Sequence, residues 1–218
     1  MARPSSDPLE PRLLSPDLPS VLKPTRSLHS RTEIWGSELA DTTGDVDAGH
    51  SRILESRVVR AQLKTARLTG ATLTDVVLED VSAVEFAAAD SRWRTVEWRG
   101  GRAATLEGVR TAWDSVLVAG VRFEYANLAS AALADVLFRD CTFGTLDLPQ
   151  ATLSRVRFEG CRADEVDTRG LVSHDADLRG LDAAGFTDVT GLRGATLSPQ
   201  QSAFHGQALA RALGVIVR

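Results

Sequence analysis

Every fifth residue of this chain is apolar over more than a hundred positions, and that period excludes most folds at once. From Ile53 to Ala163, Gly108 is the one member of the series without an apolar side chain. Two places earlier in each pentad, from Ser51 to Gly191, all 29 residues are small or apolar and none is charged. With 25% of the chain charged, about seven of those positions would carry a charge by chance, so the pattern is a structural requirement. Repeats of this kind decide the fold before any local propensity does.

An α-helix turns once in about 3.6 residues and would carry a five-residue stripe around its surface, burying charges. Strand geometry fits instead. Positions i-2 and i point inward, the residue between them points outward, and the next two turn the chain. Each pentad is then one side of a coil. Coils stacked about 4.8 Å apart by backbone hydrogen bonds form a solenoid whose interior holds only the two inward series.

The number of sides follows from the spacing that aligns like with like. In the i-2 series a spacing of 20 gives six identical pairs, including the column Val76, Val96, Val116, Val136, Val156, whereas 15 gives two. The same spacing of 20 aligns Trp93 with Trp113, Phe123 with Phe143 and Phe138 with Phe158. Four sides are therefore expected. Volume compensation supports the inward assignment, because a narrow, densely packed shaft takes one large group per side: Phe86 precedes Ala88, Leu106 precedes Gly108, Phe186 precedes Asp188, and Ser91 and Thr111 precede Trp93 and Trp113.

The ends of a solenoid need covering. Residues 1–30 hold six of the eight prolines and read as an extended arm, packed along the solenoid or swinging free. Residues 31–50, with Glu33-Ile34-Trp35 and Val46 to Ala48, read as a first strand and partial coil forming an N-terminal cap. Residues 51–197 are the repeat region, about seven coils of twenty. After a one-residue slip at 194–197, Ser198 is placed as N-cap, Pro199 as N1 and Gln201 as capping-box partner of a helix reaching about Leu213. Phe204, Ala208, Leu209 and Ala212 are expected to close the last coil, within a C-terminal capping helix and tail of residues 198–218. The same helix offers a homodimer contact as the alternative role.

Two cysteines outside any C-x-x-C or Cys/His cluster, a start (MARPSSDPLEPR) without an apolar h-region, and no long apolar run predict a soluble cytoplasmic protein with no membrane association. Of its 25 basic residues only Lys23 and Lys64 are lysine, a bias typical of GC-rich bacterial genomes. His29, His50, His174 and His205 are dispersed and read as solvated, so no metal or other cofactor is expected. Cys141 and Cys161, one coil apart and inward, read as inert core thiols. No catalytic or phosphate-binding motif is present, and a shaft two side chains thick offers no pocket; a non-enzyme is expected.

The exterior is the candidate site. Arg92, Arg94, Arg99, Arg102 and Arg110 form a basic belt on the third coil, beside Asp75, Glu79, Asp80, Glu85 and Asp90 on the second. Such charges are either coil-to-coil ion pairs, with Glu79 facing Arg99 and Asp135 facing Arg155 as examples, or a protein-binding stripe.

The repeat resembles the pentapeptide-repeat family, whose motif A(D/N)LXX stands complete in Ala126-Asn127-Leu128 and Ala176-Asp177-Leu178. Looser copies begin at Ala61, Ala66, Ala71, Cys141 and Ala151. The resemblance implies an all-β solenoid, specifically a right-handed quadrilateral β-helix, acting as a binding scaffold with an unidentified protein partner. Its best understood relatives imitate duplex DNA with an acidic rod, bind DNA gyrase and protect it from quinolones, which makes gyrase the alternative partner. The 21 acids and 18 bases of residues 51–197 make a weak imitation of phosphate, and direct nucleic-acid binding is not expected. The stretches 103–109 and 163–173 depart from the motif and are expected to be the loosest coils.

Overall fold

Twenty residues separate hydrogen-bonded neighbours along most of the chain. In the computed structural model, which describes residues 7–218, Val76 pairs with Val96, Val96 with Val116, Val116 with Val136 and Val136 with Val156, all in parallel register. The result is a four-sided parallel β-solenoid of about eight turns with a short helical C-terminus. Both inward series are buried apart from Val58, Gly101 and Phe186, which are partly exposed.

The corners show why polar residues can recur every five positions. At three of the four corners of a coil the fifth residue of the pentad has positive φ, as at Asp75, Asp80 and Asp90, or Gly160, Gly170 and Asp175. Aspartate and glycine tolerate this left-handed conformation better than most residues. The corner at 90 also closes a β-turn, with Ser91 N–H donating to Ala88 O at 3.2 Å. The fourth corner, at Thr65, Glu85, Thr105, Tyr125, Thr145 and Glu165, keeps negative φ. Its threonines and tyrosine suit an extended backbone.

Aromatic rings stack from coil to coil along the shaft: Trp93 on Trp113 at 4.8 Å, Phe123 on Phe143 at 5.2 Å and Phe138 on Phe158 at 4.8 Å between centroids. Offset and stacked pairs add about 0.5–1.5 kcal/mol each beyond area burial. The small polar residues beside the tryptophans are satisfied: Ser91 Oγ donates to Ala88 O at 2.6 Å, and Thr111 Oγ1 donates to Ser91 O at 3.0 Å. Three indole N–H groups, of Trp93, Trp98 and Trp113, are buried without an acceptor among the described residues.

Several expectations are corrected. Residues 33–47 are not a partial cap but strands β2 (Glu33–Trp35), β3 (Ser37–Ala40) and β4 (Thr43–Asp47), which pair with residues 52–54, 57–59 and 62–67 and make a further coil, so the count is about eight, not seven. Its register is 19 rather than 20 until a bulge between Gly44 and Asp45, which hid it from a strict period of five. The N-terminal end is covered instead by β1 (Lys23–Thr25), paired with β3, and by buried Leu28. Residues 103–109 and 163–173 are regular: Ala103 and Leu106 pair with Phe123 and Ala126, and Leu171 N–H closes its turn on Thr168 O. Small or hydroxylated side chains there still fit the inward positions. The irregular stretch is 184–194, where Asp188 caps a 3-10 turn over Val189–Leu192 and Phe186 is only half-buried.

At the C-terminus the one-residue slip is present, with Ala176 paired to Ala195. Ser198 caps α1 (Pro199–Phe204) in a reciprocal capping box with Gln201. The helix breaks at His205 and resumes as α2 (Gly206–Ala212). Phe204, Ala208 and Ala212 are exposed, Phe204 at 70%, so the expected closing face is wrong. Gln201 anchors the helix instead, its side-chain amide donating to Leu178 O at 2.8 Å and Leu181 O at 2.7 Å, while His205 packs against Phe186.

Candidate interaction surface

The ten charged residues singled out in the sequence do not form one stripe. Arg92 and Arg94 lie on one side of the shaft, Arg99 on the next and Arg102 on the third, while Arg110 sits on a corner; all five are exposed. The belt therefore runs around the solenoid. Arg110 forms a bidentate pair with Asp90, both contacts at 2.8 Å, and each raises the other's preference for its charged form: the Asp90 carboxyl is held below its ordinary range, the Arg110 guanidinium above. Glu79 and Arg99 are neighbours in register but pair elsewhere, Glu79 with Arg57 and Arg99 with Glu97 at 2.8 Å. The expected Asp135–Arg155 pair is present, with two contacts of 2.6 Å. Among the described residues Asp80, Glu85, Arg92, Arg94 and Arg102 make no ion pair, and all are exposed. The three arginines are the exposed, unpaired part of the belt among the described residues.

Asp75 belongs to a different feature. With Thr95, Ser115, Asp135, Arg155 and Asp175 it forms one corner column, and residues 7–22 run along it. Backbone N–H groups of the arm donate to that column: Leu9 to Asp175 at 3.4 Å, Arg12 to Asp135 at 2.9 Å, Leu14 to Ser115 at 2.7 Å and Asp17 to Asp75 at 3.3 Å. Leu9 to Asp17 spans eight residues, about 25 Å at the polyproline II rise of about 3.1 Å. Asp175 to Asp75 spans 100 residues, five coils of twenty, or about 24 Å at about 4.8 Å per coil. The two lengths match, so an extended proline-rich segment steps along the column in register.

The side of the shaft next to this corner carries outward apolar residues at three of its coils, Val77, Leu117 and Leu137, among the charged Arg57, Glu97, Arg157 and Asp177. Leu137 points outward and is nevertheless only 6% exposed. Thr95, Ser115 and Asp135 are buried too. Two ion pairs hold the start of the arm: Glu10 with Arg157 at 2.7 Å and Asp7 with Arg179 at 3.0 Å. The sequence held the signal, since Val77, Leu117 and Leu137 recur at multiples of 20 on outward positions, and Leu9, Arg12 and Asp17 each follow a proline. Reading the arm and the repeat separately missed it.

The remaining candidates sort plainly. Cys141 and Cys161 are free and buried, and each Sγ lies within 3.4 Å of two backbone carbonyl oxygens, those of Val118 and Arg139 for Cys141 and of Phe138 and Glu159 for Cys161. His29, His50 and His174 are exposed as expected, but His205 is buried at 7% exposure and burial lowers its pKa. An open cleft of about 680 Å³ lies between α1 and the last coils, lined by Arg162, Arg179, Asp182 and Gln200. The apolar void inside the first coils measures only about 30 Å³. Among the described residues no helix is long and apolar enough to cross a membrane.

The fold and surface define a class, a four-sided β-solenoid with a strapped corner. A scan against protein-family models finds no match for the chain, and a search of curated proteins finds none similar to it.

Proposed function

We propose that the protein is a non-enzymatic binding scaffold of the pentapeptide-repeat type, working in the cytoplasm through the outer surface of its solenoid. One observation carries this reading: the shaft is filled by stacked side chains, while the exterior already holds an extended polypeptide through corner side chains and outward apolar residues. A surface that orders a chain segment by side-chain-to-backbone bonds is suited to protein recognition. Arg92, Arg94 and Arg102, unpaired among the described residues, supply charge for steering a partner.

The test is capture of a partner by the full chain, followed by the triple reversal Arg92→Glu, Arg94→Glu, Arg102→Glu. The reading expects one saturable partner whose capture falls at least tenfold in the variant at unchanged circular dichroism. Equal capture by both proteins would refute a role for the belt. A supercoiling assay separates the gyrase alternative: no effect at large molar excess, with or without a quinolone, removes it.

A further inference from the structure

We propose that the corner groove is a receptor for proline-rich extended segments of a partner protein, and that residues 7–19 are its built-in competitor. The proposal rests on the reading of the solenoid as a binding protein and names the chemistry of its ligand. Its basis is the meeting of two periods: backbone donors at steps of three, two and three residues (Leu9, Arg12, Leu14, Asp17) meet side-chain acceptors at steps of two, one and two coils (Asp175, Asp135, Ser115, Asp75).

Recognition of this kind reads backbone first. A polyproline II segment makes no internal hydrogen bonds, so its N–H groups are free for a partner, and proline pre-pays much of the ordering entropy. Three of the four donors directly follow a proline, at Pro8, Pro11 and Pro16. These prolines and Leu13 are half-buried, whereas Leu9 and Leu14 face outward. The outward apolar row of Val77, Leu117 and Leu137 gives the segment a surface to lie on, and Arg157 and Arg179 select an acidic amino-terminal end. A ligand therefore needs amide donors at the 3-2-3 spacing, prolines ahead of them and one or two acids upstream.

The arm is held lightly enough to compete. Residues 7–22 form no strand pairing; two of their four backbone bonds are 3.3–3.4 Å long. Their acidic partners Asp7 and Glu10 are 85% and 79% exposed in the ion pairs, where such pairs contribute little. Regular pairing to the solenoid begins only at Lys23, after the 80%-exposed Val21. Opening the arm breaks no ladder bond of the shaft, so it belongs to the low-stability end of the molecule.

The test uses the full chain with a protease recognition sequence inserted between Ser20 and Val21, folded first and cut afterwards. A fluorescent peptide of residues 7–19 is titrated and followed by anisotropy. The proposal expects saturable binding to the cut protein and at least tenfold weaker binding to the uncut one. Binding should fall at least tenfold in Asp75→Gly/Ser115→Gly, which removes two acceptors where glycine suits the positive φ, and by about two- to fivefold in the charge reversal Arg157→Glu, which leaves the corner untouched. A peptide that keeps the two acids, the prolines and the donor spacing but is otherwise different in its side chains should bind, and one with the spacing shifted by a residue should not. The proposal is overturned if the cut arm stays in place against excess peptide, or if the emptied groove binds no peptide while circular dichroism is native. Either result alongside capture that still depends on Arg92, Arg94 and Arg102 defeats this inference and leaves the scaffold reading standing.

Discussion

Truncating Phe143 to alanine probes the shaft where its packing is best defined. The ring is 1% exposed, stacked on Phe123 at 5.2 Å and 8°, and edge-on to Phe138 at 5.8 Å and 75°. Above it the register partner is Ala163, so no large neighbour from that coil can lean into the space left behind. Buried Phe→Ala changes cost about 3–5 kcal/mol, and two lost aromatic contacts place this one in the upper half, about 4–5 kcal/mol. For a chain of this size each kcal/mol lowers Tm by about 2–4 °C, giving a fall of roughly 8–20 °C. Thermal melts by far-UV circular dichroism and tryptophan fluorescence measure it, with Phe204→Ala as control: that ring is 70% exposed and should cost less than about 0.5 kcal/mol. A Phe143→Ala melt within 2 °C of wild type (roughly 1 kcal/mol or less by the same relation) would refute the burial of this column.

Other outcomes follow from the same geometry. Gly101 has φ of +89°, and a Cβ there would lie 2.1 Å from Val81 O, so Gly101→Ala should destabilise by more than about 2 kcal/mol in urea unfolding, whereas Gly120→Ala meets no atom within 4 Å and should cost less. Leu128→Asp, an unpaired charge at a 1%-exposed position, should leave no native circular dichroism. The Arg155 guanidinium, with the Arg12 amide, holds the Asp135 carboxyl below its ordinary range. Its folded pKa is therefore lower than its unfolded one, and its contribution is complete above about pH 4 and lost as pH falls through the folded value. Asp135→Asn, which still tolerates the positive φ, should flatten the acid limb of the stability curve below about pH 4, and an unchanged limb would contradict the pairing.

The fold was legible where the period was strict. The valine column, the aromatic pairs and the Ser198 cap follow from residue spacing alone, because an inward position in a narrow shaft accepts few side chains. The coil of residues 33–47 was not, since its 19-residue register breaks the period that made the others visible. Phe204 misled because apolar residues at helical spacing normally mark a buried face, whereas here polar Gln201 reaches the last carbonyls and His205 fills the contact. Of the candidate surface, the charges were visible but not their distribution: a belt in sequence wraps around three sides and a corner in space. The arm's groove needed two signals read together, prolines in one segment and outward apolar residues in another.

The most direct test of the account is a methyl NOE spectrum of selectively labelled valines and alanines. Stacking at twenty residues per turn predicts contacts from Val96 to Val116 and from Val116 to Val136, with none from Val96 to Val136 across two coils. Contacts from Val116 to the methyl groups of Ala131 in place of Val136, the signature of fifteen residues per turn, would contradict it.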